Sequence, residues 1–124
     1  MRVCVTGATG KIGQSFVRWI AGRPGIAVRA LARTAYPQGV AAPGATPAVE
    51  WVYGDLACAA DCERLVADQE VIVHLAHTNA PLTADRDLVS DAQLNLVPTL
   101  NLLQAIQRTG RTPHLVLASS GGAV

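Results

Sequence analysis

The stretch Thr6-Gly7-Ala8-Thr9-Gly10-Lys11-Ile12-Gly13 constrains this chain more than any other. It follows Val3-Cys4-Val5, a short continuous apolar run of the kind found in a strand buried on both faces. It opens residues 11–22, where Ile12, Phe16, Trp19 and Ile20 recur at i, i+4, i+7 and i+8 and mark one helical face. Each glycine then has a physical task. Gly7 permits a tight turn, Gly10 lets backbone approach a pyrophosphate, and Gly13 lets the helix pack closely on the sheet. Free amides at the helix start face the phosphates, aided by the helix dipole. Thr9, Lys11 and Ile12, between these glycines, join them as candidate cofactor-binding residues.

The rest of the chain alternates strands and helices. Gly22, Pro24 and Gly25 end the first helix, and Ile26 to Arg33 reads as a second strand. Residues 34–47 hold Pro37, Gly39, Pro43, Gly44 and Pro47 and read as a surface loop. A third strand, Val49 to Tyr53, closes at Gly54-Asp55, and residues 57–68 form a second helix. Val71 to Ala76 is a fourth, almost wholly apolar strand, followed by a loop over 77–84. The longest helical stretch, 85–109, carries Leu96, Leu100 and Leu103 on one side, and Pro98 is expected to kink or split it. Leu94, Val97 and Leu102 widen its apolar surface enough to suggest a second partner. Leu115 to Ala118 is a fifth strand, after which nothing covers its open edge. This order predicts an α/β fold, a doubly wound parallel sheet with strand order 3-2-1-4-5.

Composition narrows the function. The 124 residues allow one domain, and at 50 % hydrophobic they bury a real core. Ten basic against nine acidic residues leave a net charge of +1, with no basic stripe for nucleic acid. Aromatic residues, at 4 %, are too few for base-stacking platforms. No apolar run approaches the roughly 18–20 residues of a membrane helix. The start Met1-Arg2-Val3-Cys4 lacks a secretory h-region, so a cytoplasmic protein is expected. Cys4, Cys58 and Cys62 show no metal-ligand spacing and read as reduced thiols, the last two on one face if their segment is helical.

The glycine stretch resembles the extended short-chain dehydrogenases/reductases, the NAD-dependent epimerase/dehydratase family of sugar-nucleotide enzymes. Other stretches agree in order along the whole chain. Gly54-Asp55-Leu56 looks like the family's adenine-contacting acidic turn, and His74-Leu75-Ala76-His77 like its fourth-strand motif, whose backbone lies along the cofactor. The run from Asn95 to Leu103 is similar to the family's Asn-x-x-Gly-Thr-x-Asn-Leu-Leu helix, with Pro98 in place of the glycine. Leu117 to Val124 looks like the fifth strand entering the active-site serine turn. The resemblance implies that residues 1–124 are a Rossmann-like NAD(P)-binding domain, incomplete after the fifth strand. It further implies a sugar-nucleotide substrate for the whole enzyme and a homodimer built through helix 85–109. Asp55, Leu56, Leu75, Ala76, His77 and Asn95 thereby become cofactor-binding candidates.

Several assignments stay open between two roles. Arg33 stands twenty residues after Gly13, beside the place of an NAD-selecting acidic residue, which is here Ala32. An arginine there favours the 2′-phosphate of NADP over NAD; the other reading is a solvated strand-end charge. Asp55 is an adenine contact, an N-cap for helix 57–68, or both. Asn95 holds backbone or water near the reacting centre, or is an exposed helical asparagine. His74 and His77 read as hydrogen-bonded strand-end groups rather than bases.

Catalysis in the resembled family uses Tyr-x-x-x-Lys. Here Tyr36 is followed four residues on by Val40 and Tyr53 by Ala57, and Lys11 is the only lysine. Ser120 and, less so, Ser119 are candidates for the substrate-orienting hydroxyl, unless that place belongs to Ala123. The 124 residues are therefore expected to bind cofactor weakly at best and to turn over no sugar nucleotide. The competing readings are a non-catalytic dinucleotide-binding module or sensor acting through a partner, and a truncated or decayed gene product.

Overall fold

The N-terminal apolar run becomes β1 (Arg2–Thr6), the central strand of a five-stranded sheet in the order β3-β2-β1-β4-β5. The computed structural model describes residues 1–34, 49–78 and 88–119. β2 (Ala27–Ala32) and β3 (Glu50–Tyr53) lie on one side of β1, and β4 (Val71–His74) and β5 (His114–Leu117) on the other. All four pairings are parallel, so every strand ends at the same edge. The doubly wound order expected from the sequence is the one observed.

The two-residue period of β1 divides the core. Val3 and Val5 face α1 (Lys11–Ala21) and meet Val17, Ile20, Val28 and Val73. Cys4 faces the other way, among Leu31, Ile72, and Cys62 and Leu65 of α2 (Ala59–Val66). Burial pushes the Cys4 thiol up to about 12 and that of Cys62 to about 11, so both stay protonated at neutral pH. Arg29 of β2 closes the far end of α2: its guanidinium donates to the carbonyls of Arg64, Leu65 and Ala67 while its Nε meets Glu50 at 2.8 Å.

Residues 88–108 run as one helix in three pieces: α3 (Leu88–Asp91), a π-helical turn (Ala92–Leu96) and α4 (Val97–Arg108). Asp91, Leu96 and Val97 all keep right-handed helical angles across the junctions. Pro98 explains the middle piece. It has no N–H, and its ring would press on the Leu94 carbonyl in a regular α-helix. The wider turn sends the Val97 N–H back to Ala92 O instead. The expected kink or split is thus absorbed as a π turn.

Helix orientation departs from the sequence reading twice. The buried face of α1 is Gly13, Val17, Ile20 and Ala21, while Ile12 and Trp19 are 75 % and 58 % exposed. Gly13 sets this rotation, since a Cβ there would overlap Gly7 O and lie 2.8 Å from Ala8 Cα. Trp19 covers itself instead with Phe16 and with Arg23, whose guanidinium stacks 4.4 Å from its ring centre. On α4 the buried residues are Leu102 and Ala105, so the leucine stripe Leu96, Leu100 and Leu103 points outward.

The second helix is also shorter than expected. Its N-cap is Cys58, with no side-chain cap, so Asp55 is not the cap. Cys58 is exposed and Cys62 buried, which separates the pair expected on one face. β5 is exposed along its whole length, as an uncovered edge strand should be. Most of the loops expected over 34–47 and 77–84, and the start of helix 85–109, fall outside the described residues.

Candidate functional site

Parallel strands deliver their loops to one edge, and chain order reverses there between β1 and β4. A groove of about 300 Å³ lies at this switch point. Gly7, Thr9 and Gly10 reach it from β1, and Arg33 from the end of β2. Asp55 and Leu56 come from β3, Leu75, Ala76 and His77 from β4, and Asn95 from the π turn. Ten residues singled out from scattered stretches of sequence therefore share one wall or another of a single groove.

The glycine turn is built by contact. Gly7 has φ +67°, and a Cβ on it would lie 2.6 Å from Leu75 C and Ala76 N. The turn after β1 therefore seats directly on the backbone leaving β4. Gly10 is different: a Cβ there would meet Gly7 O at 3.3 Å and nothing else within contact range. The fold itself barely demands a glycine at that place, which lines the groove. α1 has no side-chain cap, and its first helical bond runs from Gln14 N–H to Gly10 O at 2.8 Å. The amides of Lys11, Ile12 and Gly13 consequently have no acceptor within the helix. Open amides beside a residue without a side chain can receive a phosphate group.

Asp55 uses one carboxylate oxygen locally. Its Oδ1 accepts the Ala57 N–H at 2.9 Å, forming an Asx turn, and its own N–H donates to Asp61 Oδ2 at 2.9 Å. Oδ2 of Asp55 has no partner among the described residues and belongs to a groove-lining side chain. The Asp55 amide, and then the Arg64 guanidinium, hold the Asp61 carboxyl below its ordinary range.

Two asparagines pin the rims. Asn95 Oδ1 accepts the Thr78 N–H at 2.7 Å, while its Nδ2 donates to Asp91 Oδ1 at 2.7 Å and to Thr78 O at 3.4 Å. Asn95 thus holds the backbone of Thr78. Asn101 donates to the carbonyls of Leu56 and Ala57 at 3.0 and 3.2 Å and so fixes the turn after β3. His74 also lines the groove, largely buried between Thr6 Oγ1 at 2.7 Å and Thr99 Oγ1 at 3.1 Å. Burial, then the charge of His77, holds its pKa below the usual histidine value.

Some candidates fall elsewhere. Lys11 and Ile12 have side chains on the exposed flank of α1, and Gly13 works behind the turn rather than in the groove. Ser119 is exposed just past β5 and away from the groove lining. Ser120, Ala123 and Tyr36 lie outside the described residues, and Tyr53 ends β3 half exposed. Among the described residues no three His, Cys, Asp or Glu side chains gather as a metal site. No described helix is long and apolar enough to cross a membrane.

Compared with known proteins, residues 3–124 match the model of the NAD dependent epimerase/dehydratase family. The chain belongs to this family. Among solved members of similar structure, the UDP-glucose 4-epimerase of Thermus thermophilus, in complex with NAD, is 31 % identical with a TM-score of 0.80. That match covers 98 % of this chain and 38 % of the epimerase. Uronate dehydrogenase from Agrobacterium tumefaciens, as a mutant complexed with NAD, is 28 % identical at TM-score 0.71, over 96 % of this chain and 40 % of its own. The dTDP-glucose 4,6-dehydratase of Streptomyces venezuelae, with NAD and TYD bound, is 30 % identical at TM-score 0.72, over 89 % and 37 %. The chain thus spans about two-fifths of the length of these epimerase/dehydratase-family structures. No curated protein sequence matches it.

Sequence reasoning missed the family member's inner supports, Thr6, Thr99, Asn101 and Asp61. The usable signal was a hydroxyl closing an apolar strand and another facing inward from a helix. Such groups, once buried, must find a partner.

Proposed function

We propose that this chain is the NAD(P)-binding portion of a sugar-nucleotide epimerase/dehydratase-like oxidoreductase, and that it takes NADP in preference to NAD. The observation that carries this is the uncapped start of α1 beside Gly10, opening on the groove at the strand-order switch point. The pyrophosphate would lie on those amides, and the free Asp55 oxygen would face the adenosine half. An epimerase, a dehydrogenase and a dehydratase among the similar structures each hold NAD in their solved complexes, so the cofactor is the common element while the reaction varies. When bound, the cofactor supplies hydride transfer. The residues named here bind and orient it.

Arg33 carries the NADP preference. It lines the groove at the end of β2, where a 2′-phosphate would meet its guanidinium. Calorimetric titration of the chain with NADP and NAD tests both parts. NADP is expected to bind more tightly, and Arg33→Ala to weaken it by roughly tenfold or more while leaving NAD little changed. Equal affinities, or an Arg33→Ala variant indifferent to both, would contradict the NADP assignment. A cytoplasmic location fits this reading, since all three cysteines are free. A homodimer fits it too, formed through the outward stripe of Leu96, Leu100 and Leu103.

A further inference from the structure

A polar chain runs from the glycine turn to the π turn through His74 and Thr99, both of which line the groove, and its direction can be read from one end. Asn95 O is a carbonyl and has no proton to give. Thr99 Oγ1 therefore donates to it at 2.7 Å and must accept from His74 Nε2 at 3.1 Å. The His74 proton sits on Nε2, which leaves Nδ1 an acceptor. Thr6 Oγ1 donates to that Nδ1 at 2.7 Å and accepts the Ala76 N–H at 3.3 Å. Both hydroxyls and both ring nitrogens are satisfied in this one direction, with a neutral imidazole. A proton added at Nδ1 would turn the Thr6 bond around and leave the Thr6 hydroxyl proton without its acceptor.

We propose that His74 is a positioning residue for the dinucleotide groove: as the neutral Nε2–H tautomer it ties the glycine turn, the Ala76 amide and the π turn into the one frame that seats the dinucleotide. The proposal rests on the NAD(P)-binding reading. Its geometry is a chain of close contacts. Ala76 N–H hangs on Thr6, and the Leu75–Ala76 backbone is the surface on which Gly7 sits without room for a methyl group. A shift of Ala76 therefore moves the turn that presents Gly10 and the open amides. At the other end the π turn carries Asn95, which holds Thr78 in the segment after β4. Burial favours the same neutral state.

The charged surroundings of His74 are sparse among the described residues. β1 presents Thr6, β5 presents Leu117 and α4 presents Thr99, none of which titrates in the neutral range. His77, on the same loop, acts on it electrostatically, and Asp91 is reached only through Asn95.

The test uses NADP and the pair Thr6→Ser and Thr6→Val. Thr6 is fully buried and outside the groove lining, so its effect must pass through the frame. Serine keeps the hydroxyl and loses the methyl; valine keeps the shape and loses the hydroxyl. At pH 7.5, Thr6→Ser is expected to bind NADP within about twofold of the unmodified chain, and Thr6→Val on the order of tenfold more weakly. A second arm needs no variant. NADP affinity is measured from pH 8 to pH 5 while the ring nitrogens of His74 are followed by nitrogen-15 NMR, with the phosphorus signal of the 2′-phosphate tracking that group separately. Nε2 is expected to carry the proton, and affinity to fall by about tenfold per pH unit once His74, rather than His77, ionises. Equal NADP affinity in the serine and valine variants, or affinity indifferent to His74 ionisation, overturns the proposal while NADP binding stands. Failure of the unmodified chain to bind either NADP or NAD at pH 7.5 overturns both this proposal and the reading it rests on; if it binds NAD alone, the NADP preference falls and both arms are read with NAD. If Thr6→Val does not fold, the pH arm decides.

Discussion

Gly10 and Gly13 look alike in the sequence and stand three residues apart, but they answer to different masters. A methyl group on Gly13 would collide with the backbone of Gly7 and Ala8, whereas one on Gly10 would only crowd a single carbonyl at 3.3 Å. Gly13→Ala is therefore expected to destabilise the chain by about 3 kcal/mol or more. Gly10→Ala should stay within about 1 kcal/mol of the original and still lose NADP affinity. Urea unfolding beside NADP titration checks the pair, and parallel loss of stability in both variants would remove Gly10 from the ligand-facing role. His74 gives a pH prediction with a definite sign. Its pKa is lowered from 6.5 in the folded chain, so the unfolded chain takes up the proton first. Its contribution to stability is complete above pH 6.5 and is lost as pH falls through the lower folded value. Unfolding curves at pH 7.5 and 5.5 should show a steeper acid loss in the unmodified chain than in His74→Gln. His77 and His114 are common to both chains and drop out of that difference. At this scale the sequence identified which residues matter near the turn, but sorting Gly10 from Gly13 required the distance of each from the backbone of Gly7 and Ala8 once the turn is folded.

The elements show how a pattern can be right about type and wrong about direction. Strand order, parallel pairing and the succession of helices were legible because apolar runs separated by Gly and Pro mark them without reference to neighbours. Which side of α1 turns inward was not legible from hydrophobicity, because the side chain that decides it is the missing one at Gly13. The leucines of the π turn and α4 misled in the opposite sense: Leu96, Leu100 and Leu103 make the stronger stripe, yet the buried residues of α4 are Leu102 and Ala105. The π turn ahead of Pro98 joins the two halves of the helix. Asn95 sits inside that turn and fastens Thr78. In hydrogen exchange the Thr78 amide is expected to be protected, and Asn95→Ala to remove that protection while leaving the amides of β1 unchanged. Protection at Thr78 that survives the substitution would show that the loop is held by something else.

Among the described residues, the outward leucine stripe and the strand β5 stand exposed. If the stripe joins two copies, sedimentation equilibrium should give twice 12.9 kDa, and Leu100→Glu should return the mass to that of one chain. A monomer in the unmodified chain would send the search for a partner elsewhere. The groove itself belongs to no single element, and β1 finds one of its neighbours late in the sequence. Thr6 lies opposite His74, sixty-eight residues further on, and the seat of Gly7 does not exist until that pairing is made. Contacts of such long sequence separation form late and slowly during folding. A dinucleotide would therefore meet no competent site on the partly folded chain. Adding it should lengthen the life of the native state against unfolding and leave the rate of folding unchanged.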